Sequence, residues 1–411
     1  MRRQLKAGMY RLLRFMAFAS LAVPAVASTQ PSVPPADAPS LAALGPNRVG
    51  TATISLPAAS AQAPDRTLRV VIWYPSRPAP GARTTSYRHS LRPAPPLRPL
   101  DVEIEAIAVA EAPPISGTFP LVIVSHGYRG WPESMSYLTE NLASKGYIVA
   151  GIDHGDLPYG DAAGFQRSFA TTAATRARDQ QLVLTRLTGR NAPLPMNLGG
   201  RIDTNRLALI GYSMGGFGAL ATAGAGYDPA SHAYRSLPQG ALADQAEGRR
   251  RADPRLRALV AIAPWGAQPP HRAWSAAALG QIKVPMLVIA GEEDDISGYP
   301  EGIRWVYDNA RGSDRLLLLY RNARHNVGGN PAPAAARGDF GYLSWFEEPV
   351  WRQERLNAIN QHFVTAFLDR HVKGDLASAK MLTAPADGAA GWRGFQPRWS
   401  LGFDLLAAPA E

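Results

Sequence analysis

Short, almost continuous runs of apolar residues recur along the chain and alternate with segments of mixed polarity. Runs of this kind are typical of strands buried on both faces of a parallel sheet. They lie at residues 121–125, 147–152, 207–212, 258–263, 286–290 and 316–320. Two earlier segments, residues 51–56 and 68–74, alternate or run apolar with β-branched residues, as strands do. The pattern predicts a mostly parallel central sheet.

Segments with helical spacing of apolar residues lie between these runs. They cover residues 133–143, 173–187, 215–223 and 300–310, and residues 356–372 are expected to pack as a C-terminal helix. Strands that alternate with helices predict an α/β fold in which helices flank the sheet. We expect this domain to span residues 46–378.

Three segments stand apart from the alternating pattern. Residues 76–100 are rich in Pro and Arg and are predicted to form a long loop. Residues 225–257 are a polar insertion between a helix and a strand, for which a lid or pocket rim and a plain surface loop are equally reasonable. Residues 379–411 are predicted to be a C-terminal tail.

The first residues carry the pattern of a secretory signal peptide. Residues 1–14 are basic, and residues 15–27 are apolar and end in small side chains at Ala25 and Ala27. We therefore expect a signal peptide over 1–27, a flexible leader over 28–45 and a periplasmic or secreted protein, with an uncleaved anchor as the alternative. An apolar segment this short is not expected to insert stably in a membrane.

Composition narrows the possible function classes. The chain has 411 residues, of which 46% are hydrophobic and 18% charged, so intrinsic disorder is not expected. It contains no cysteine, which excludes disulfides, thiolate metal sites and a cysteine nucleophile. Of the net charge of +10, half comes from the signal-like residues, and the remainder does not call for a nucleic-acid partner.

The motif Gly211-Tyr212-Ser213-Met214-Gly215 is the strongest chemical signal. It matches G-x-S-x-G and lies between a predicted strand and a predicted helix, the context of a nucleophile elbow. Glycines are needed because the tight turn leaves no room for side chains. The turn exposes the Ser213 hydroxyl and directs the Met214 N–H, at a helix N-terminus, toward a developing oxyanion. The alternative is a glycine-rich packing turn.

A serine nucleophile needs a general base and an acid that orients it, and on this fold the chain order is serine, acid, histidine. The run 286–290 is followed by four acidic residues, among which we favour Asp294 as the acid and keep Asp295 as second choice. The run 316–320 is followed by His325, which we predict to be the base. The remaining histidines fit this order or position less well.

The second oxyanion donor is expected in the loop after residues 120–125. Gly127 permits a sharp turn there, so that the Tyr128 N–H can point to the same place as the Met214 N–H. His126 could be read as catalytic, but we favour a role in bracing this loop.

These segments resemble the α/β-hydrolases of the dienelactone hydrolase and platelet-activating-factor acetylhydrolase-like type. The resemblance is carried by LVIVSHGYRG at 121–130, RLALIGYSMGG at 206–216, VPMLVIAGEEDD at 284–295 and NARHN at 322–326. It implies an α/β-hydrolase fold with Ser213 as nucleophile, Asp294 as acid and His325 as base. It also implies oxyanion N–H groups from Tyr128 and Met214. Dienelactone hydrolases have a cysteine nucleophile, so a lactone substrate is not implied.

Tyr128, the Ser213-Met214 pair and Trp265 also resemble the substrate-clamping positions of bacterial polyester hydrolases and cutinases. In those families an aromatic pair holds the acyl part of the substrate, which implies substrate binding by Tyr128 and Trp265. A core aromatic beneath the pocket is the alternative for Trp265. The chain departs from these families by lacking their cysteines and by its insertions at 76–100 and 225–257.

Together these features predict a serine carboxylic-ester hydrolase that acts through an acyl-serine intermediate, without a metal or organic cofactor. Its substrate is expected to be a small-molecule or polymeric ester. A polyester hydrolase and, less favoured, a non-catalytic binding protein on the same fold are the alternatives. A dinucleotide-binding motif at 216–221 is rejected, since it begins inside the predicted helix rather than in the preceding turn. Acyl and alcohol specificity and oligomeric state stay open.

Overall fold

The computed structural model describes residues 34–59, 65–249, 251–385 and 391–411. Twelve strands are found in these ranges. They are β1 (Arg48–Pro57), β2 (Thr67–Ser76), β3 (Ser86–Leu91), β4 (Leu100–Glu105), β5 (Val109–Ala110), β6 (Phe119–Ser125), β7 (Ile148–Asp153), β8 (Ile202–Tyr212), β9 (Leu256–Ile262), β10 (Met286–Gly291), β11 (Arg315–Tyr320) and β12 (Phe403–Ala408).

Ten of the described strands form one sheet, in the order β12-β11-β10-β9-β8-β6-β7-β2-β1-β5. The six strands from β11 to β7 are parallel to one another, while β2 and β12 add antiparallel neighbours on either side. Strands β6, β9 and β10 are almost entirely buried, and so are residues 207–211 of β8, as expected for a parallel sheet covered on both faces. The predicted mostly parallel sheet is confirmed.

Eight α-helices accompany the sheet in the described residues. They are α1 (Ser136–Ser144), α2 (Ala162–Thr188), α3 (Met214–Thr222), α4 (His232–Arg235), α5 (Ala276–Leu279), α6 (Arg304–Asn309), α7 (Phe340–Leu343) and α8 (Gln353–Leu368). Helices α1 and α8 pack against each other, and α2 packs against α3. Helix α3, which follows the serine motif, is completely buried, because its small residues allow close packing on the sheet.

Each predicted strand overlaps a strand of the structure, but the prediction of a long loop at 76–100 is wrong. Strands β3 and β4 pair there as an antiparallel hairpin. Its apolar residues Leu91 and Val102 form a second small core with Trp131 and Phe346. The strand signal was weak because Pro and Arg dominate the connecting residues, and because the strands bury only a few side chains each.

The two ends of the predicted domain also differ from expectation. The segment predicted as a C-terminal tail contains β12, which extends the sheet beside β11. Residues 1–27, the predicted signal peptide, lie outside the described residues. Of the predicted leader, residues 34–45 contact the domain: Asp37 pairs with Arg352 and Arg355 on the α8 side, at 2.6 and 3.0 Å. No helix among the described residues is both long and apolar enough to cross a membrane.

Candidate active site

Four loops at one edge of the sheet carry the residues singled out from the sequence. They follow β6, β8, β10 and β11, which are parallel to one another. These strands are neighbours in the sheet except that β9 lies between β8 and β10. The carboxyl ends of these strands therefore meet at the same edge, where ligands bind in open α/β sheets.

The turn between β8 and α3 has the geometry of a nucleophile elbow. Ser213 has φ +53° and ψ −114°, a backbone conformation that is strained for a residue with a side chain. A Cβ on Gly215 would lie 2.0 Å from the Ser125 carbonyl oxygen, and one on Gly211 would lie 2.3 Å from that of Gly215. Both glycines are thus required by close backbone packing, which forces the serine into its position above the sheet.

The structure brings Ser213, His325 and Asp294 into one hydrogen-bonded chain. His325 Nε2 lies 3.0 Å from Ser213 Oγ, and His325 Nδ1 lies 2.8 Å from Asp294 Oδ2. The arrangement allows the imidazole to take a proton from the hydroxyl while the carboxylate fixes its tautomer. Ser213 is 6% exposed and lines a cavity, so its hydroxyl is reachable from outside.

Asp294 and its neighbour Asp295 have different environments. Asp294 Oδ1 accepts hydrogen bonds from the Ile296 and Ser297 N–H groups, at 2.9 and 2.7 Å. Burial raises its pKa, but the charge of His325 and these hydrogen bonds outweigh burial, so the pKa of Asp294 is lowered overall. Asp295 instead pairs with Arg324 at 2.5 Å, in an exposed position. The geometry therefore favours Asp294 over Asp295 as the partner of the histidine.

The loop after β6 lies against the elbow. A Cβ on Gly127 would be 3.3 Å from Ser213 Cβ, so the backbone of this loop closely approaches the serine. Met214 is the first residue of α3, and N–H groups in the first turn of a helix have no acceptor within that helix. The N–H groups of Tyr128 and Met214 are therefore suitably located candidates for oxyanion donors.

His126 braces this loop. Its Nδ1–H donates to the Gly127 carbonyl at 2.7 Å, and its Nε2 accepts from the His154 N–H at 3.3 Å. Burial, with a contribution from the charge of Arg176, lowers the pKa of His126 to about 4. A neutral imidazole with both nitrogens engaged fits the bracing role rather than a catalytic one.

A buried ion pair supports the same loop from below. Arg176 on α2 is fully buried and bonds Asp156 at 2.5 and 2.8 Å, and its guanidinium also donates to the Gly127 carbonyl at 3.3 Å. Asp156 in turn accepts from the Arg129 N–H at 2.7 Å. Asp179, three residues along the same helix, pairs with Arg66 instead, at 2.6 Å.

A second Ser–His–Asp arrangement lies beneath the first. Ser125 Oγ is 2.8 Å from His154 Nε2, and His154 Nδ1 is 2.8 Å from Asp179 Oδ2. All three residues are at most 2% exposed, and Arg66 holds Asp179 at 2.6 Å. No substrate could reach this serine, so the arrangement serves to fill hydrogen-bonding capacity under the elbow.

A cavity of about 870 Å³ opens over Ser213 and His325. Its lining includes the loop after β6 with Tyr128 and most of residues 340–349, among them Trp345 and Phe346. Residues 225–257, predicted as a lid or rim or as a surface loop, are not among the described residues that line it. The rim at 340–349 was not recognised from the sequence. It is backed by the β3–β4 segment, where the Arg98 carbonyl accepts from the Tyr342 hydroxyl at 2.6 Å.

The two predicted clamp residues are separated by a phenylalanine. The Trp265 N–H donates to the Ser213 carbonyl at 3.2 Å, but the indole is 9% exposed and packs on Phe169 at 4.8 Å between ring centroids. Phe169 also contacts Tyr128 at 5.5 Å. Tyr128 lines the cavity, whereas Trp265 does not, so its position corresponds to the alternative of an aromatic beneath the pocket.

Comparison with known proteins finds similarity to ester hydrolases. A protein-family model described as PET hydrolase-like matches residues 111–230, which include the β6 loop and the elbow. The bis(hydroxyethyl) terephthalate hydrolase of Streptomyces coelicolor is 25% identical over 240 residues, which cover 58% of this chain and 61% of that protein. Cutinase est1 of Thermobifida alba is 27% identical over 211 residues, covering 51% and 54% of the two chains.

Cutinase 1 of Thermobifida cellulosilytica is 27% identical over 234 residues, 56% of this chain and 70% of the relative. The chain thus spans between 54% and 70% of the lengths of these three relatives. With its mostly parallel sheet and elbow, the chain is therefore related to the α/β-hydrolases of the polyester-hydrolase kind.

Proposed function

We propose that this protein is a serine carboxylic-ester hydrolase that acts through an acyl-serine intermediate. The observation that carries the proposal is the chain of hydrogen bonds from Ser213 through His325 to Asp294, at 3.0 and 2.8 Å, beside an open cavity. The relatives, named as ester hydrolases, support the same reaction class.

In the proposed reaction, Ser213 Oγ attacks the ester carbonyl carbon while His325 Nε2 takes the hydroxyl proton. The carbonyl oxygen becomes an oxyanion that accepts from the Tyr128 and Met214 N–H groups, each typically worth about 3 kcal/mol of barrier. His325 then gives its proton to the leaving alcohol, and the acyl-serine forms. Water, deprotonated by His325, hydrolyses the acyl-serine and restores the hydroxyl. Asp294 stabilises the imidazolium that forms during acylation and again during deacylation.

The test is to incubate the protein with a fluorophosphonate, locate the adduct by mass spectrometry, and measure hydrolysis of p-nitrophenyl acetate. We expect one modified serine, Ser213, and none at the buried Ser125. Ser213→Ala and His325→Ala should lose nearly all turnover while keeping the wild-type unfolding temperature. A chain with neither an adduct nor hydrolysis would be a binding protein instead.

The identity of the acid is tested by a matched pair of variants. Asp294→Asn should lower kcat about 10⁴-fold, as loss of the acid does in other triads. Asp295→Asn removes the neighbouring charge and should stay within about threefold of wild type, because this carboxylate faces Arg324 at the surface. The reverse result would transfer the acid role to Asp295.

A polyester hydrolase is the second candidate, favoured by the PET hydrolase-like match and by the relative that acts on bis(hydroxyethyl) terephthalate. Tyr128 and the aromatic rim at 340–349 give the cavity walls suited to an aromatic acyl group. Two assays separate the candidates: release of soluble aromatic acid from a polyester film, and hydrolysis of p-nitrophenyl esters with acyl chains from acetyl to long-chain. A polyester hydrolase should release the aromatic acid, whereas an esterase of small molecules should hydrolyse only the p-nitrophenyl esters.

We also infer export to the periplasm or the medium, supported by the signal-like pattern at 1–27. N-terminal sequencing of the protein recovered from cell fractions tests this. A start near residue 28 in the exported fraction is expected, and full-length protein in the cytoplasm alone would contradict it.

A further inference from the structure

The loop that carries His325 rests on a carboxylate that the sequence did not single out. Glu348 Oε2 accepts a hydrogen bond from the Arg324 N–H, and Glu348 Oε1 accepts one from the Asn326 N–H, both at 2.6 Å. These N–H groups belong to the residues immediately before and after the histidine. Glu348 is 6% exposed, so both bonds are largely shielded from water.

Two other side chains bind carbonyl groups of this loop. The Tyr212 hydroxyl donates to the His325 carbonyl at 3.1 Å, and Gln353 Nε2 donates to the Asn326 carbonyl at 2.9 Å. The chain has no cysteine, so no disulfide can hold the loop. Glu348 supplies the complementary half of the framework, because it alone of these three side chains binds the N–H groups.

The same contacts join the histidine loop to the cavity wall. Asn326 Nδ2 donates to the carbonyls of Ser344 and Glu347, at 2.8 and 3.2 Å. Glu348, the residue after Glu347, belongs to this wall as well. The rim at 340–349 and the backbone of His325 are thus fastened together on both sides of the imidazole.

We infer that Glu348 is a positioning residue that fixes the backbone on both sides of His325 and places a negative charge beside its imidazole. The inference rests on the proposed function and deepens it. Only an ionised carboxylate offers two acceptor oxygens without a donor. A glutamine would present its NH₂ group, a donor, to one of the two N–H groups. An aspartate has the same carboxylate on a side chain one methylene shorter, so it would not reach both N–H groups from the same backbone position.

The electrostatic part depends on the charged groups around Glu348. Burial and the negative charge of Asp294 raise the pKa of Glu348. The hydrogen bonds from the two N–H groups and the charge of His325 lower it, but burial outweighs them. Two other acidic residues in this region form ion pairs of their own, Asp295 with Arg324 at 2.5 Å and Glu347 with Arg337 at 3.4 Å. The Glu348 charge is therefore directed mainly at the histidine loop, where it favours the imidazolium formed during the reaction.

The experiment compares Glu348→Gln, Glu348→Asp and a control, Glu354→Gln, in the full chain. Glu354 lies exposed in the first turn of α8, so its variant removes the same charge from a solvated position nearby. For each variant, kcat and KM for p-nitrophenyl butyrate are measured from pH 5 to 9, together with the unfolding temperature.

For Glu348→Gln we expect kcat to fall about tenfold to a hundredfold with KM within about twofold, since a small displacement of the base costs rate rather than binding. The acid limb of its pH profile should move to lower pH, because the imidazolium loses a nearby anion. Glu348→Asp keeps the charge, so kcat should fall while the acid limb stays in place. Glu354→Gln should match wild type in kcat and in the position of the acid limb.

A folded Glu348→Gln protein with wild-type kcat and pH profile would overturn the inference. If that variant does not fold, undiminished kcat in Glu348→Asp would overturn it equally. An inactive wild-type chain that also fails to react with a fluorophosphonate would overturn the proposed function itself. The two failures are therefore distinct.

Discussion

Replacing Arg176 with methionine should strongly destabilise the protein. The guanidinium is fully buried and forms two hydrogen bonds with Asp156, at 2.5 and 2.8 Å. Methionine has a similar length but no charge, so Asp156 would stay buried without its cation. Breaking such a pair by removing one partner costs about 3–5 kcal/mol. A Coulomb energy of about 4 kcal/mol, for charges about 4 Å apart at an effective dielectric constant of about 20, agrees.

The pH dependence of this loss follows from the carboxylate. Burial raises the pKa of Asp156, but the charge and hydrogen bonds of Arg176 outweigh burial and hold it well below the usual range. A lowered pKa stabilises the folded state above the unfolded pKa, about 3.9, and the stabilisation is lost as the pH falls below it. In Arg176→Met, burial without the cation raises the pKa of Asp156 instead, so the variant regains stability once this carboxyl is protonated. The difference between wild type and Arg176→Met should therefore be largest at neutral pH and shrink as the pH falls.

Urea unfolding, followed by tryptophan fluorescence, measures the free energy, and Arg178→Met is the matched control. Arg178 lies two residues along the same helix and pairs with Asp244 in a well-exposed position. Such pairs contribute about 0–1 kcal/mol, so the control should be nearly neutral. Removing both buried charges, as Arg176→Met with Asp156→Leu, should recover part of the loss. Equal effects of Arg176→Met and Arg178→Met would refute the reasoning.

Three further predictions concern the pocket, the elbow and a buried acid. Phe169→Ala should open the space between Tyr128 and Trp265, so kcat/KM should rise for benzoyl esters relative to acetyl esters. An unchanged ratio of the two kcat/KM values would show that Phe169 does not keep aromatic acyl groups out of this space. Gly215→Ala places a Cβ 2.0 Å from a backbone oxygen, so little folded, fluorophosphonate-reactive protein is expected, and normal labelling would contradict the close approach. Burial raises the pKa of Glu140 to about 7, against hydrogen bonds that lower it. Stability should therefore be full below about pH 4.3 and fall by about 3 kcal/mol as the pH rises to about 7. Glu140→Gln should flatten this dependence in urea unfolding at several pH values, and a profile identical to wild type would show that the carboxyl does not titrate there.

The sequence predicted the architecture because its information is local. Buried parallel strands require continuous apolar runs, and these runs located the eight strands that overlap β1, β2 and β6 to β11. The elbow was recognisable because a tight turn demands glycine on both sides of Ser213. Chain order alone placed Asp294 and His325 after neighbouring strands, where the fold was expected to bring them near the serine.

Only the tertiary structure decided which distant groups meet. It paired His325 with Asp294 rather than Asp295, gave Arg176 the partner Asp156, and inserted Phe169 between Tyr128 and Trp265. Contacts of this kind depend on side chains far apart in the chain, and no local pattern encodes them. The hydrophobic pattern and the turn chemistry thus determined the sheet and its serine, whereas packing between remote segments determined the shape of the cavity and the support of its histidine.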